Sequence, residues 1–193
     1  AVWKKNTEEE CLLGVSLTGI MDCPLLDDAY SPTINKRLET LKEKAIETNN
    51  TWAKKLGVNT SAAITCIKPS GTVSQLVDSS SGIHPRFATT YTRTVRADRK
   101  DPLAQAMEAA GLPCEADVTN ATNLVFSFPI KGHKSARTVE DIDVMEQLDL
   151  WKVYQDSWCE HKPSMTAYYN DDNFFAAAQW LWVNFDDVSG VSF

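Results

Sequence analysis

The chain has no run of about eighteen apolar residues, so no membrane-spanning helix is expected. Its opening, Ala-Val-Trp-Lys-Lys-Asn, lacks the apolar stretch of a signal peptide. Cysteine is sparse and unpaired. The five residues, at 11, 23, 66, 114 and 159, form no Cys-x-x-Cys, which excludes both a disulfide framework and a structural zinc site and points to a reducing, cytoplasmic compartment. Cys159-Glu160-His161 brings a thiol and an imidazole close in sequence, but no second ligand pair accompanies it, so no metal site is expected there and the thiol is read as packing. Positive charge is also short, with 19 Lys and Arg against 26 Asp and Glu and a net charge of −7. That balance disfavours a nucleic-acid surface, which needs clustered basic residues. A nucleotide needs only local positive charge, for which Lys68, His84 and Arg86 are available, although Arg86 is equally suited to pairing with a surface carboxylate.

Apolar residues are plentiful. At 193 residues and 43% hydrophobic content, with six Trp and seven Phe, the chain fits one domain with a buried core. Thr7 with Glu8, Glu9 and Glu10 has the form of a helix opening that leads into the apolar stretch 12–21, where Gly14 and Gly19 favour a strand or a closely packed element. Ser31-Pro32 is expected to cap a long helix with Ile34, Leu38, Leu41, Ala45, Trp52 and Leu56 on its apolar face, ended by Gly57. Residues 87–97 read as extended, with Arg93 and Arg96 assigned to ion pairs. Asp101-Pro102 starts a short helix stopping at Gly111, and 124–129 gives a further strand. Thr138 to Asp141 has capping-box form before a helix reaching about Trp158, whose apolar set includes Leu148 and Trp151. Residues 164–169 are a candidate strand, and Asp172 begins a last helix. Strand alternates with helix and no repeat interrupts the pattern, so an α/β layered or barrel arrangement follows.

The centre of this pattern is the stretch 62–76, Ala-Ala-Ile-Thr-Cys-Ile-Lys-Pro-Ser-Gly-Thr-Val-Ser-Gln-Leu. The apolar run Ala62 to Ile67 predicts a buried strand, followed by a tight turn and a helix start. Ser70, Gly71, Thr72, Val73 and Ser74 are candidates to bind phosphate through backbone N–H groups and hydroxyls, since small residues allow close approach. It is not a Walker loop, because Gly-x-x-x-x-Gly-Lys is absent and Lys68 precedes the turn. On chemistry alone, an ordinary strand-to-helix turn reads equally well.

The wording of the loop adds to this. Lys68-Pro69-Ser70-Gly71-Thr72-Val73-Ser74-Gln75-Leu76, followed by Ser80-Ser81-Gly82-Ile83-His84-Pro85-Arg86-Phe87, resembles the substrate-phosphate loop of adenosylcobalamin-dependent (class II) ribonucleotide reductases, of the ribonucleoside-triphosphate type. Trp3 to Glu10 with Leu12 to Ile20 resembles that family's segment after the radical cysteine, and Glu160 to Tyr169 with Ser189 to Phe193 resembles its late barrel strand and the segment that follows. The resemblance implies about half of a ten-stranded α/β barrel of the ribonucleotide reductase type, with 1–193 as a single partial domain, the C-terminal portion of the barrel. It implies a ribonucleotide substrate, adenosylcobalamin as cofactor of the intact enzyme, a thioredoxin-like reductant acting through segments outside this sequence, and a dependence on the remainder of the reductase chain.

No catalytic residue carries over. The family's radical cysteine sits in a Cys-x-Glu pattern that this sequence lacks, Cys159-Glu160 having no intervening residue. The resemblance assigns no cobalamin contact. Tyr168 and Tyr169 match a strand that bears radical-transfer tyrosines in related class I reductases, but cobalamin-dependent members generate the radical in place, so packing on the active-site side is the reading adopted. Two other functions stay open: a nucleotide-phosphate-binding half-domain without turnover, and an unrelated α/β enzyme using the same loop for another phosphorylated substrate. Absence of an initial Met and the apolar 188–193 tail lead to the expectation of a piece of a longer chain. A half barrel exposes strand edges and apolar surface, so the isolated chain is expected to associate. Analytical ultracentrifugation checks this, and a clean monomer with a sharp, cooperative melt would contradict it.

Overall fold

The computed structural model describes residues 2–193; Ala1, the first residue of the expected single domain, lies outside the described residues. In chain order the elements are helix α1 (Val2–Glu10), strand β1 (Val15–Ser16), a 3-10 turn (Ile20–Asp22), α2 (Ile34–Leu56), β2 (Thr65–Cys66), the single turn α3 (Val73–Leu76), β3 (Thr90–Asp98), α4 (Pro102–Ala109), β4 (Cys114–Ala116), β5 (Asn123–Lys131), α5 (Val144–Ser157) and α6 (Phe174–Val183). They fall into two compact units, a larger one comprising 2–86 and 134–193 and a smaller one comprising 87–133.

The larger unit is built on parallel pairing. β1 runs parallel to β2, with Val15 opposite Thr65 and Ser16 opposite Cys66. The pattern continues through single parallel bridges, Ile67 with Pro163 and Thr166 with Ser192. Four short segments therefore lie side by side in one direction. The run from Ile64 to Ile67 is buried without alternation, as expected of a parallel strand covered on both faces. The strand expected over 164–169 is reduced to bridge contacts: Ser164 N–H donates to the Ile67 carbonyl and Ala167 N–H to the Ser192 carbonyl.

Helix α5 supplies much of the core through Val144, Leu148, Leu150, Trp151 and Tyr154, all fully buried with Ile20, Met21, Ile34 and Leu38. Two indoles fasten this region to the parallel segments: Trp151 Nε1 donates to the Pro163 carbonyl at 3.0 Å and Trp158 Nε1 to that of Cys66 at 2.8 Å. The helix begins at Val144 with Asp143 as its cap, accepting from Glu146 N–H, later than the capping box at Thr138 suggested. The Asp141 carboxylate instead accepts from Thr138 N–H and Oγ1 in a separate turn, which holds it below the usual carboxylate range.

Two further expectations are corrected. Glu8, Glu9 and Glu10 close α1 instead of opening a helix, against the favourable dipole sense, offset in part by exposed Lys4–Glu8 and Lys5–Glu9 pairs. On α2, Ile34 and Leu38 are buried, but Leu41, Trp52 and Leu56 are exposed. With Leu12, Leu13 and Val15 they line an apolar groove of about 840 Å³.

The smaller unit is an antiparallel sheet in the order β3-β5-β4, with α4 contributing to its core of Ala104, Leu124 and Phe126. It breaks the uninterrupted strand–helix alternation read from the sequence, and β4 was not anticipated at all. Arg96 pairs with the Asp117 carboxylate at 2.9 Å, as its ion-pair assignment foresaw.

Leu148→Ala is expected to destabilise the larger unit by about 2–5 kcal/mol, measured by urea unfolding followed through tryptophan fluorescence.

Candidate functional site

Because the four parallel segments share one direction, their carboxyl ends share one rim, the usual location of ligand sites in parallel α/β arrangements. The loop 68–72 and α3 leave β2 at this rim. The chain returns through 77–84, and the two arms are cross-linked. Ser70 N–H donates to Ser81 Oγ at 2.8 Å, Ser74 N–H donates to Ser70 Oγ at 3.0 Å, and Ser74 Oγ donates to the Ser70 carbonyl. Ser79 N–H closes back on the Ser74 carbonyl at 2.9 Å.

These bonds divide the five predicted residues into two groups. Ser70 and Ser74 brace the loop, and Ser74 is wholly buried. Gly71, Thr72 and Val73 form the exposed tip. A Cβ built on Gly71 would meet nothing within 4 Å, and its φ lies outside the left-handed region, so the fold itself does not require glycine there. Gly82 on the returning arm is the opposite case. It has φ +56°, and a Cβ there would lie 2.9 Å from the Lys68 carbonyl oxygen.

Arg86 and His84 beside the loop are engaged by the fold, whereas the buried Ser80 Oγ has no hydrogen-bond partner among the described residues. Arg86 is buried and forked onto the largely buried Asp22 carboxylate, Nε to Oδ1 and Nη2 to Oδ2, each at 2.9 Å, and it also pairs with a surface carboxylate, as considered above, its Nη1 lying 3.5 Å from the exposed Asp78 Oδ1. His84 Nδ1 lies 2.8 Å from the Ser81 carbonyl, and Nε2 lies 3.0 Å from Thr166 N–H. The neutral imidazole protonated on Nδ1 satisfies both contacts. His84 thereby links the loop to the third parallel segment, beyond which Tyr168 and Tyr169 stand about half exposed, with Tyr169 against Phe174 and Phe193. Lys68 is left exposed at the loop's entry.

Cys159, Glu160 and His161 serve the fold. Burial pushes the Cys159 thiol up to about 12. Glu160 accepts from Ile64 N–H at 2.8 Å, and His161 Nε2 lies within hydrogen-bond reach of the Leu13 and Ala63 carbonyls. Among the described residues no group of three or more His, Cys, Asp or Glu is placed to hold a metal ion. Sequence reasoning gave no role to Asp22, Ser80 or Ser81, which fix the returning arm. For Asp22 no local signal exists, since its partner lies 64 positions away.

With this geometry in view, relatives are informative. The chain is 34% identical over 132 residues to a probable adenosylcobalamin-dependent ribonucleoside-triphosphate reductase of Dictyostelium discoideum, covering 68% of this chain and 16% of that protein. It is 27% identical over 150 residues to an adenosylcobalamin-dependent ribonucleoside-triphosphate reductase of Lactobacillus gasseri, covering 76% of this chain and 20% of the relative. The chain is homologous to a segment of the class II ribonucleotide reductases. A crystal structure of a B12-dependent (class II) ribonucleotide reductase superposes with a TM-score of 0.80 over 98% of this chain and 30% of that one, at 22% identity, which establishes the α/β fold of the reductase type. No family model matches. The chain spans about a sixth to a fifth of the length of these curated reductases.

Gly71→Ala is expected to leave the thermal midpoint unchanged, whereas Gly82→Ala lowers it, the strained backbone alone costing about 1–3 kcal/mol of stability. Differential scanning fluorimetry on the two variants separates them, and an equal loss at both positions would refute the division of the loop.

Proposed function

We propose that this chain is the part of an adenosylcobalamin-dependent ribonucleoside-triphosphate reductase that holds the substrate's phosphates, with turnover belonging to the longer polypeptide. The single observation that carries the reading is Gly71: an exposed glycine at the tip of a tightly braced loop, on the carboxyl rim of a parallel sheet, where the fold makes no demand for glycine. Close approach of a ligand supplies that demand. Thr72 adds a hydroxyl and, with Val73, backbone amides at the tip, while Gly71 leaves room for the ligand to approach. Ser70 and Ser74 act by holding the tip in shape. Each hydrogen bond to a charged phosphate oxygen contributes about 1.5–3 kcal/mol, so a few of them anchor a triphosphate.

On this reading 1–193 is one partial domain, about half of the ten-stranded barrel, and the four parallel segments are its strands. Adenosylcobalamin, when bound, supplies the radical that begins 2′ reduction. This chain's thiols do not fit the role of radical carrier, since Cys66 and Cys159 are buried and no Cys-x-Glu is present. The radical cysteine, the cobalamin contacts and the cysteine pair served by a thioredoxin-like reductant belong to the remainder of the chain. No helix among the described residues is long and apolar enough to cross a membrane. The cytoplasmic setting and the absence of direct nucleic-acid binding are part of the proposal.

The test is turnover of ribonucleoside triphosphates by the full-length protein with adenosylcobalamin and a dithiol reductant. Gly71→Val is expected to raise KM by about 10-fold or more, equivalent to about 1.4 kcal/mol, with the thermal midpoint preserved. Cofactor-independent phosphate binding with no reduction would favour the non-catalytic binding module instead.

A further inference from the structure

We infer that Arg86 is the positioning residue of the phosphate loop, setting the shape of its exposed tip from behind without touching the ligand. The inference rests on the phosphate-binding reading of residues 70–74. The Arg86 side chain is 3% exposed, so it is out of reach of a ligand at the tip. Three hydrogen bonds of its guanidinium bear on the loop, beside an Nη1 contact with the exposed Asp78 carboxylate at 3.5 Å. Two go to the Asp22 carboxylate, and the third runs from Nη2 to the Asp78 carbonyl at 2.8 Å. Asp78 is the residue at which the returning arm turns, with φ +48°, one of two non-glycine residues with positive φ among those described. Asp22 uses its second oxygen twice, accepting from Arg86 and from Ser80 N–H at 2.7 Å.

One guanidinium and one carboxylate thus hold positions 78 and 80, while Ser81 holds Ser70 across the neck of the loop. The intervening residues, including the tip at 71–73, are confined between these two fixed points. Asp22 is itself anchored, because its carbonyl accepts from Ser135 Oγ and the preceding Met21 carbonyl from Arg137 N–H. A planar fork is needed for this arrangement. An ammonium at the same place reaches one or two of the three acceptors, so Arg86→Lys keeps the charge and loses the geometry.

The experiment measures inorganic tripolyphosphate binding by calorimetry, together with hydrogen exchange by mass spectrometry, on the full-length protein and on its Arg86→Lys, Asp22→Asn and Arg86→Lys/Asp78→Gly variants. Arg86→Lys and Asp22→Asn are expected to weaken tripolyphosphate binding by about 10-fold and to speed exchange in 70–82 while α5 keeps its protection. Adding Asp78→Gly, which removes the penalty of a positive φ together with the exposed carboxylate facing residue 86, is expected to recover part of the lost affinity through the relaxed backbone. Wild-type affinity in Arg86→Lys overturns the inference alone. Parallel loss of protection in α5 and the loop also overturns it, since Arg86 would then be a general stabiliser. If the unaltered chain binds no tripolyphosphate, the phosphate-binding reading falls, and this inference with it.

Discussion

The larger unit depends on the backbone of residues 63–67 being satisfied on both sides at once. On one side Leu13 and Val15 donate to the Ala63 and Ile64 carbonyls. On the other, Glu160 and His161 N–H donate to the Thr65 carbonyl and Ser164 N–H to that of Ile67. Side chains complete the set: the Glu160 carboxylate takes the Ile64 amide, and the Thr65 hydroxyl donates to the Trp158 carbonyl. A wholly buried strand cannot leave such groups unpaired, because each orphan costs about 1–3 kcal/mol. This requirement explains why Glu160 and His161, which in sequence suggest chemistry, are spent on structure. It also fixes where the chain leaves β2, and therefore where the loop sits on the rim.

How much of this was legible beforehand follows from the range of each interaction. Some local signals held, although the helix opening at Glu8 to Glu10 and the capping box at Thr138 did not. Gly57 ends α2 with φ +69°, and Asp101 caps α4 by accepting from Leu103 N–H just before Pro102. The apolar run at 62–67 gave the buried central strand, although only two of its residues have full ladder pairing. Signals that needed a partner far along the chain did not survive. Nothing near Trp52 or Leu56 says that their side of α2 lies open, and nothing in 87–133 distinguishes an antiparallel sheet from another strand–helix repeat. The residues of the candidate loop were legible as a group, but their division into bracing and exposed positions was not, because it is made by Ser81 from eleven residues away.

The exposed apolar surface has a physical reading of its own. Trp52, Leu56, Phe175, Trp182 and Phe185 are each more than half exposed, and the groove beside α2 is almost wholly apolar. Contiguous surface of that kind is rarely left to water in a soluble protein, so it marks places that another surface covers. The curated relatives are about five to six times longer than the portion matched here, which makes the rest of such a chain the natural cover on the half-barrel proposal.

Glycine geometry offers a way to separate fold from function within one loop. Gly82 is demanded by the backbone: a left-handed φ and a carbonyl 2.9 Å from where a Cβ would stand. Gly71 meets neither condition, yet it stands exposed in a loop braced through Ser70 and Ser74. Stiffness without a ligand is a cost, since ordering backbone takes about 1–2 kcal/mol per residue and exposed tips are ordinarily left loose. A braced loop with an undemanded glycine at its apex is what preorganised recognition requires, with the entropy lost during folding instead of during binding. The buried Arg86–Asp22 pair fits the same logic. Desolvating two charges is a poor route to stability alone, but their fork fixes the returning arm at two points, and geometry at the tip is what that fixation delivers.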